Sequence, residues 1–353
     1  MALTHGGQLQ QIANQYQIPV EQWLDLSTGI APISYPIPNI PLNIWQDLPQ
    51  QNNDLLTAAK HYYQCEHLTV TNGSQAIIKA LPELWQNKLN TLTLDNKDPA
   101  HYTHHVYLPQ YGYKEHAQAW RNTGYSLNFY LDELPAVDEI QANSVLVIIN
   151  PNNPTGLLFT NEILLTYQKA MDELNGLLVV DEAFMDVIPS DQSICSQVAN
   201  CNTLVFRSFG KFFGLAGIRI GFLVANQSWC EAFNEHLGPW QVNGPAQLIA
   251  LHALRDNSWH LQQKHTLSEL RNELEKLLWQ YLGHNIISDI KGTDLFLTLS
   301  FNETSDLNAE DLYERLCQQS VYVRLTDEKD KLRFGIPTQQ QLIKLTKIFK
   351  LCI

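Results

Sequence analysis

Between residues 53 and 224, short β-rich apolar runs alternate with longer stretches of helical period. VLVII at 145–149 and LLVV at 177–180 carry no polar alternation, the pattern of strands covered on both faces. Similar runs predict strands at 67–71, 91–94, 104–108, 125–129, 203–207 and 219–224. Helices are predicted at 53–63, over AIIKALPELW, and at 112–121 and 161–174. This alternation describes an α/β fold, a mostly parallel sheet covered by helices, with ligands beyond the carboxyl ends of the strands.

The flanks differ. Upstream, GGQLQQIANQYQ at 6–17 predicts a short helix, and the proline-rich stretch at 32–41 has no period. That stretch wraps another surface, either as a pocket lip or as a connector. After Pro239 a helical tract runs from 244 to about 281, interrupted near 256–258. It leads into strands at 285–288, 294–300, 321–324 and 332–335, with helices at 308–319 and 338–350. The expected division is an N-terminal arm or small-domain segment at 1–40, a large domain at 41–238 and a smaller α+β domain at 239–353.

Composition narrows the function. A formal charge of -13 with no basic run argues against nucleic acid, although a pocket for a small anion needs only a few local cations. MALTHGGQLQQ lacks the features of a secretory signal, and the apolar runs are too short to span a bilayer, so a cytoplasmic protein without membrane contact is expected. The six cysteines form no Cys-x-x-Cys pair and are expected as free thiols, mostly in the core. His101, His104 and His105, with His116 nearby, lack the helix and acid of a zinc protease motif; a solvated loop and no metal are expected.

Candidate chemistry centres on TLVFRSFGKFFGLAGIRIGFLV at 203–224. Its one lysine, Lys211, sits among Phe209, Phe212, Phe213 and Leu215, either in a setting that lowers an amine's pKa and creates a nucleophilic fraction for imine chemistry, or as a surface lysine in a glycine loop between two strands. Four further motifs follow predicted strands. Asn72-Gly73-Ser74-Gln75 opens a helix and serves as a phosphate cradle or as a simple cap by Ser74. Pro109-Gln110-Tyr111-Gly112-Tyr113 offers a ring for stacking, or a turn with core aromatics. In Asn150-Pro151-Asn152-Asn153-Pro154-Thr155-Gly156, Asn153 can donate to a ligand oxygen. In Asp181-Glu182-Ala183-Phe184, Asp181 is a partner for a protonated ring nitrogen, or a cap for the next segment. Together these are the contacts that pyridoxal 5′-phosphate requires.

With NPNNPTG, DEAF, SFGK and GIRIGF, the chain resembles fold-type I pyridoxal-phosphate enzymes of the aminotransferase superfamily over essentially its whole length. The resemblance implies that Lys211 binds the cofactor aldehyde and Asp181 pairs with the ring nitrogen, these two being the catalytic residues. It further implies that Asn153 binds the ring hydroxyl, that Tyr111 stacks on the ring, and that Gly73, Ser74, Gln75, Ser208 and Arg219 hold the phosphate.

Two branches are close. His5-Gly6-Gly7, DLSTGIAP, DEAF and SFGKFFGLAGIR resemble the threonine-phosphate decarboxylases of cobalamin synthesis more than the histidinol-phosphate aminotransferases. That resemblance implies decarboxylation of O-phospho-L-threonine to aminopropanol phosphate. It places Arg333 on the α-carboxylate, and Arg324 with His5, Gly6 and Gly7 near the substrate phosphate, with Gly29 and Asn153 completing the substrate site. A homodimer is implied too. Two positions depart from the pattern: Leu48 in WQDLP stands where relatives carry a phosphate-binding tyrosine, and Gly29 where the decarboxylase can have asparagine. The rivals are transamination of histidinol phosphate or a related amino acid, and a non-catalytic ligand-binding module.

Overall fold

The computed structural model describes residues 6–93 and 104–352. Seven strands form the large sheet in the order Leu68–Thr71, Gly221–Val224, Thr203–Ser208, Leu177–Asp181, Val145–Ile149, His105–Pro109 and Ser126–Tyr130. All run parallel except Gly221–Val224, which is antiparallel to both neighbours.

The two apolar runs that lacked alternation are buried on both faces, and successive side chains divide between two cores. Leu146, Ile148, Leu178 and Val180 pack into one core, while Val145, Val147, Leu177 and Val179 pack into the other. Helix ends are fixed by side-chain caps where the sequence offers them. Asn52 accepts from Leu55 N for Asn53–Tyr63, Asn243 from Ala246 N for Gly244–Arg255, and Asp256 from Trp259 N for Asn257–Ile286. Asp256 thereby produces the interruption expected near 256–258.

One predicted strand is absent. Residues 91–93 of the expected 91–94 strand continue the helix Ser74–Thr93, so a β-prone TLTL run is overridden by a helix already under way. Among the described residues, no helix is long and apolar enough to cross a membrane.

A four-stranded antiparallel sheet forms the smaller unit, in the order Arg324–Leu325, Lys331–Gly335, Phe296–Phe301 and Ile287–Thr293. Packing shifts the boundary from the expected residue 239. Ala246, Ala250 and Ala253 share the large core with Leu55 and Ala59, and the small core begins at Leu270. The N-terminal segment joins the small unit: Leu24 and Leu26 lie in its core, and Leu24 pairs with Val321. The units meet at the 150–156 turn. A Cβ on Gly156, whose φ is +75°, would lie 2.6 Å from Gly292 Cα, and Thr298 Oγ1 donates to Pro154 O at 2.6 Å. Cys195, Cys230 and Cys317 are buried free thiols, whereas Cys65 and Cys201 are partly exposed.

Candidate active site

Two cavities meet at the carboxyl edge of the large sheet. The inner one, about 130 Å³, is lined by Ser74, Tyr113, Asn153, Asp181, Ser208 and Lys211, among others. The outer one, about 220 Å³, shares Tyr113, Asn153, Phe184 and Lys211 and adds Arg324 and Arg333 from the small unit.

Each wall has a local cause. The buried strand Leu177–Asp181 delivers Asp181 at its end, 3% exposed, where Ala183 N donates to Oδ1 at 3.1 Å. Its other oxygen meets His116 Nε2 at 2.8 Å; facing a carboxylate, that nitrogen carries the proton. His116 is itself buried and stacks on Phe206. Behind them Arg207 bridges Glu182, at 2.6 Å, and Asp186, tying the ends of neighbouring strands together. Asn150 clamps the next turn by donating to Phe159 O and accepting from Phe159 N. Asn153, in the same turn, accepts from Arg333 Nη1 on the strand Lys331–Gly335 of the small unit.

Lys211 lies in the short helix Phe209–Phe212, with Nζ 5.5 Å from the Phe184 ring centroid. Burial pushes its amine down to about 8; Arg333 and Arg219 add to the fall, and Asp181 opposes it. Ser208 Oγ donates to Ser74 Oγ at 2.9 Å, joining a strand end to the start of the helix Ser74–Thr93. Arg219 adopts φ +56°, and Gly73 adopts φ +74° beside it; a Cβ on Gly73 would lie 2.9 Å from Arg219 Nη2. Glycine therefore leaves room for the guanidinium next to two hydroxyls and a helix amino end, an anion cradle.

The small unit supplies Arg333, which is buried and donates through Nη2 to Ser27 O. Burial first, then Arg324, disfavours its charge, and its Nε has no hydrogen-bond partner among the described residues. An anionic group in the outer cavity would offset both.

The sequence matches the model of the aminotransferase class I and II family over residues 47–347. This chain belongs to that family. It is accordingly a pyridoxal phosphate-dependent enzyme. A Pseudomonas aeruginosa threonine-phosphate decarboxylase is 36% identical over 347 residues, covering 96% of this chain and 94% of that protein. A threonine-phosphate decarboxylase of a Sinorhizobium species is 33% identical, covering 92% and 90%. The fold is shared with the histidinol-phosphate aminotransferase of Sinorhizobium meliloti in complex with pyridoxal-5′-phosphate, at TM-score 0.78 and 17% identity, covering 100% of this chain and 96% of that one.

The residues present fit the aminotransferase cofactor. Lys211 would meet its aldehyde, Asp181 backed by His116 its ring nitrogen, Asn153 its hydroxyl, and Gly73, Ser74, Ser208 and Arg219 its phosphate. The ring-stacking expectation needs correction: Tyr113, not Tyr111, lines the inner cavity, while Tyr111 faces the outer one beneath Lys331 Nζ, 4.9 Å from its centroid. Gln75 lines the cavity with its side chain engaged, donating to Glu115 at 2.6 Å and accepting from Tyr113 Oη at 3.1 Å.

Among the substrate candidates, Gly6, Gly29, Asn153, Arg324 and Arg333 line the outer cavity. Gly7 N is tied to Ser27 Oγ at 2.8 Å, and His5 lies outside the described residues. Gly29 leaves space for Phe184, whose Cε1 would lie 2.7 Å from an added Cβ. The histidines expected in a loop part company: His104 lies against Tyr125, His105 meets Asn128, His116 enters the site, and His101 is outside the described residues. Tyr113 belonged to the motif that offered a stacking ring but was not the residue chosen, and the role of His116 went unrecognised in the sequence. The signal for His116 was a polar residue on the buried face of the helix Lys114–Asn122, which also buries Ala117 and Trp120.

Proposed function

We propose that this enzyme decarboxylates O-phospho-L-threonine to aminopropanol phosphate, as a step of cobalamin biosynthesis. The observation that carries the proposal is the presence of two cationic positions in one outer cavity next to Lys211: buried Arg333 on the inner side and Arg324 on the strand beside it. A substrate with an α-carboxylate and a distal phosphate presents two anions to match them. Two curated relatives that match more than nine-tenths of the chain bear the decarboxylase name.

In this scheme Arg333 binds the α-carboxylate, and Phe184 with Phe296 supplies an apolar wall that limits water around it. When bound, pyridoxal phosphate supplies an electron sink for the pair left behind as CO2 departs. Asp181, fixed by His116, holds the proton on the ring nitrogen. The Lys211 amine, which lines both cavities, would deliver a proton to the α-carbon. Phe184 has no hydroxyl, so Asn153 is the side-chain amide that addresses the ring oxygen.

The active unit is proposed as a homodimer. Leu42, Trp45, Leu48 and Trp240 are exposed large apolar side chains around the Leu42–Gln46 helix, a face suited to a second copy. Sedimentation of wild type and Trp45→Asp checks this: the wild type is expected at twice the chain mass and the variant shifted toward the monomer.

The activity test supplies holoenzyme with O-phospho-L-threonine and follows CO2 and aminopropanol phosphate. Both products are expected in equal amounts. Amino transfer from histidinol phosphate or O-phospho-L-threonine to 2-oxoglutarate, without CO2, would sink the decarboxylase assignment in favour of transamination.

A further inference from the structure

We infer that Lys114 is a second binding residue for the substrate phosphate, and that Glu328 holds its ammonium until the phosphate arrives; this rests on the phosphate-ester substrate proposed above. Lys114 occupies the first position of the helix Lys114–Asn122, where the positive end of the helix disfavours a cation. Helix stability therefore does not account for a lysine there. Its Nζ donates to Gln110 O at 2.8 Å and to Glu328 Oε1 at 2.8 Å, and both Lys114 and Glu328 line the outer cavity.

Glu328 comes from the small unit, on the turn between the strands Arg324–Leu325 and Lys331–Gly335. The preceding residue, Asp327, accepts from Arg324 Nη2 at 2.7 Å. Consecutive carboxylates thus hold two cations, one from each unit, on the wall of a single cavity. Thr326 braces the turn, donating to Asp330 Oδ1 at 2.9 Å and accepting from Lys331 N at 3.1 Å. The four side chains sum to no net charge. A phosphate monoester carries close to two negative charges and three strong acceptor oxygens, so it can engage both cations at once where each carboxylate engages one. The Lys114–Glu328 pair also joins the two units across the cavity, and a phosphate held by Lys114 and Arg324 would keep them joined.

The test is steady-state kinetics of holoenzyme with O-phospho-L-threonine and, for comparison, L-threonine, which lacks the phosphate. Lys114→Gln is expected to raise KM for the phosphate ester about tenfold, the effect of losing one charge-assisted contact at a partly exposed site. The loss falls on KM rather than kcat, and L-threonine turnover suffers far less. Lys114→Arg recovers most of the affinity, and Glu328→Gln lowers KM for the ester. Equal losses for both substrates, or a loss confined to kcat, would overturn the inference and leave the pair as a mere brace. Should wild type release no CO2 from the ester, the decarboxylase assignment fails separately. Calorimetric titration of the holoenzyme with inorganic phosphate then decides: weaker binding by Lys114→Gln upholds the site, and equal binding refutes it.

Discussion

Gly29→Ala isolates one steric contact at the heart of the site. Residue 29 does not require positive φ, so an alanine strains no backbone, and the effect is the added methyl alone. That Cβ would lie 2.7 Å from Phe184 Cε1, 3.2 Å from Phe184 Cζ and 3.3 Å from Phe296 Cδ1. Carbon contacts are optimal at about 3.5–4.0 Å, so the Phe184 ring must retreat by about 0.8 Å or more. It is 4% exposed and meets Phe296 edge to face at a centroid distance of 5.0 Å. Its freedom lies toward the cavity, where Lys211 Nζ is 5.5 Å from the ring centroid. Overpacking of this kind costs about 1–3 kcal/mol. Apoenzyme stability should fall by about that amount in denaturant titration, and kcat/KM by about 5- to 150-fold if the displaced ring crowds the reacting groups. Adding Phe184→Leu to Gly29→Ala should restore part of both, because the smaller side chain vacates the space. Wild-type stability and activity in Gly29→Ala, or no interaction between the two substitutions, would refute the steric account of Gly29.

Three other predictions follow from the same geometry. Capture of pyridoxal phosphate by apoenzyme needs the neutral Lys211 amine, so the rate should rise with pH through about 8. Stopped-flow absorbance should show the midpoint falling in Asp181→Asn, which removes the acid favouring the charged amine, and rising in Arg333→Gln, which removes an opposing cation; a profile unmoved by either contradicts the assigned neighbours. Gly73→Ala forces a side chain into φ +74° beside Arg219, and a left-handed backbone costs about 1–2 kcal/mol. Absorbance titration should show roughly tenfold weaker cofactor binding, and unchanged affinity would remove Gly73 from the cradle. His116→Leu leaves buried Asp181 Oδ2 without its 2.8 Å partner, a loss of about 1.5–3 kcal/mol for a hydrogen bond to a charged group. Thermal unfolding of the apoenzyme should drop clearly, with His116→Gln intermediate; a wild-type melting curve for the leucine variant would contradict the pairing.

Much of the fold was legible because both central strands are apolar without interruption, and their ends are marked by Asn150 and Asp181, whose side chains hydrogen-bond to the turns that follow. The strand expected at 91–94 failed because local β preference was weighed without the helix entering it from Ser74. Tyr111 and Tyr113 flank a glycine and look equivalent in sequence. Which of them faces the inner cavity depends on Gly112, where an added Cβ would lie 2.8 Å from Pro109 Cγ and 3.0 Å from Ile149 Cδ1. That close packing of turn against strand leaves no trace in residue spacing. His116 was grouped with loop histidines by proximity, whereas its place on the buried side of a helix aims it at Asp181, 65 residues away. The ion pair between Lys114 and Glu328 spans 214 residues and both units, a distance at which charge patterning gives no pairing signal.

In the proposed mechanism Lys211 is the residue that joins the cofactor. Borohydride reduction of the holoenzyme, followed by proteolysis and mass spectrometry, reads that bond directly. A single phosphopyridoxyl modification on the peptide containing Lys211, and none in Lys211→Ala, is the predicted result. The same modification on another lysine in the wild type, or a near-visible cofactor band unchanged in Lys211→Ala, would contradict it.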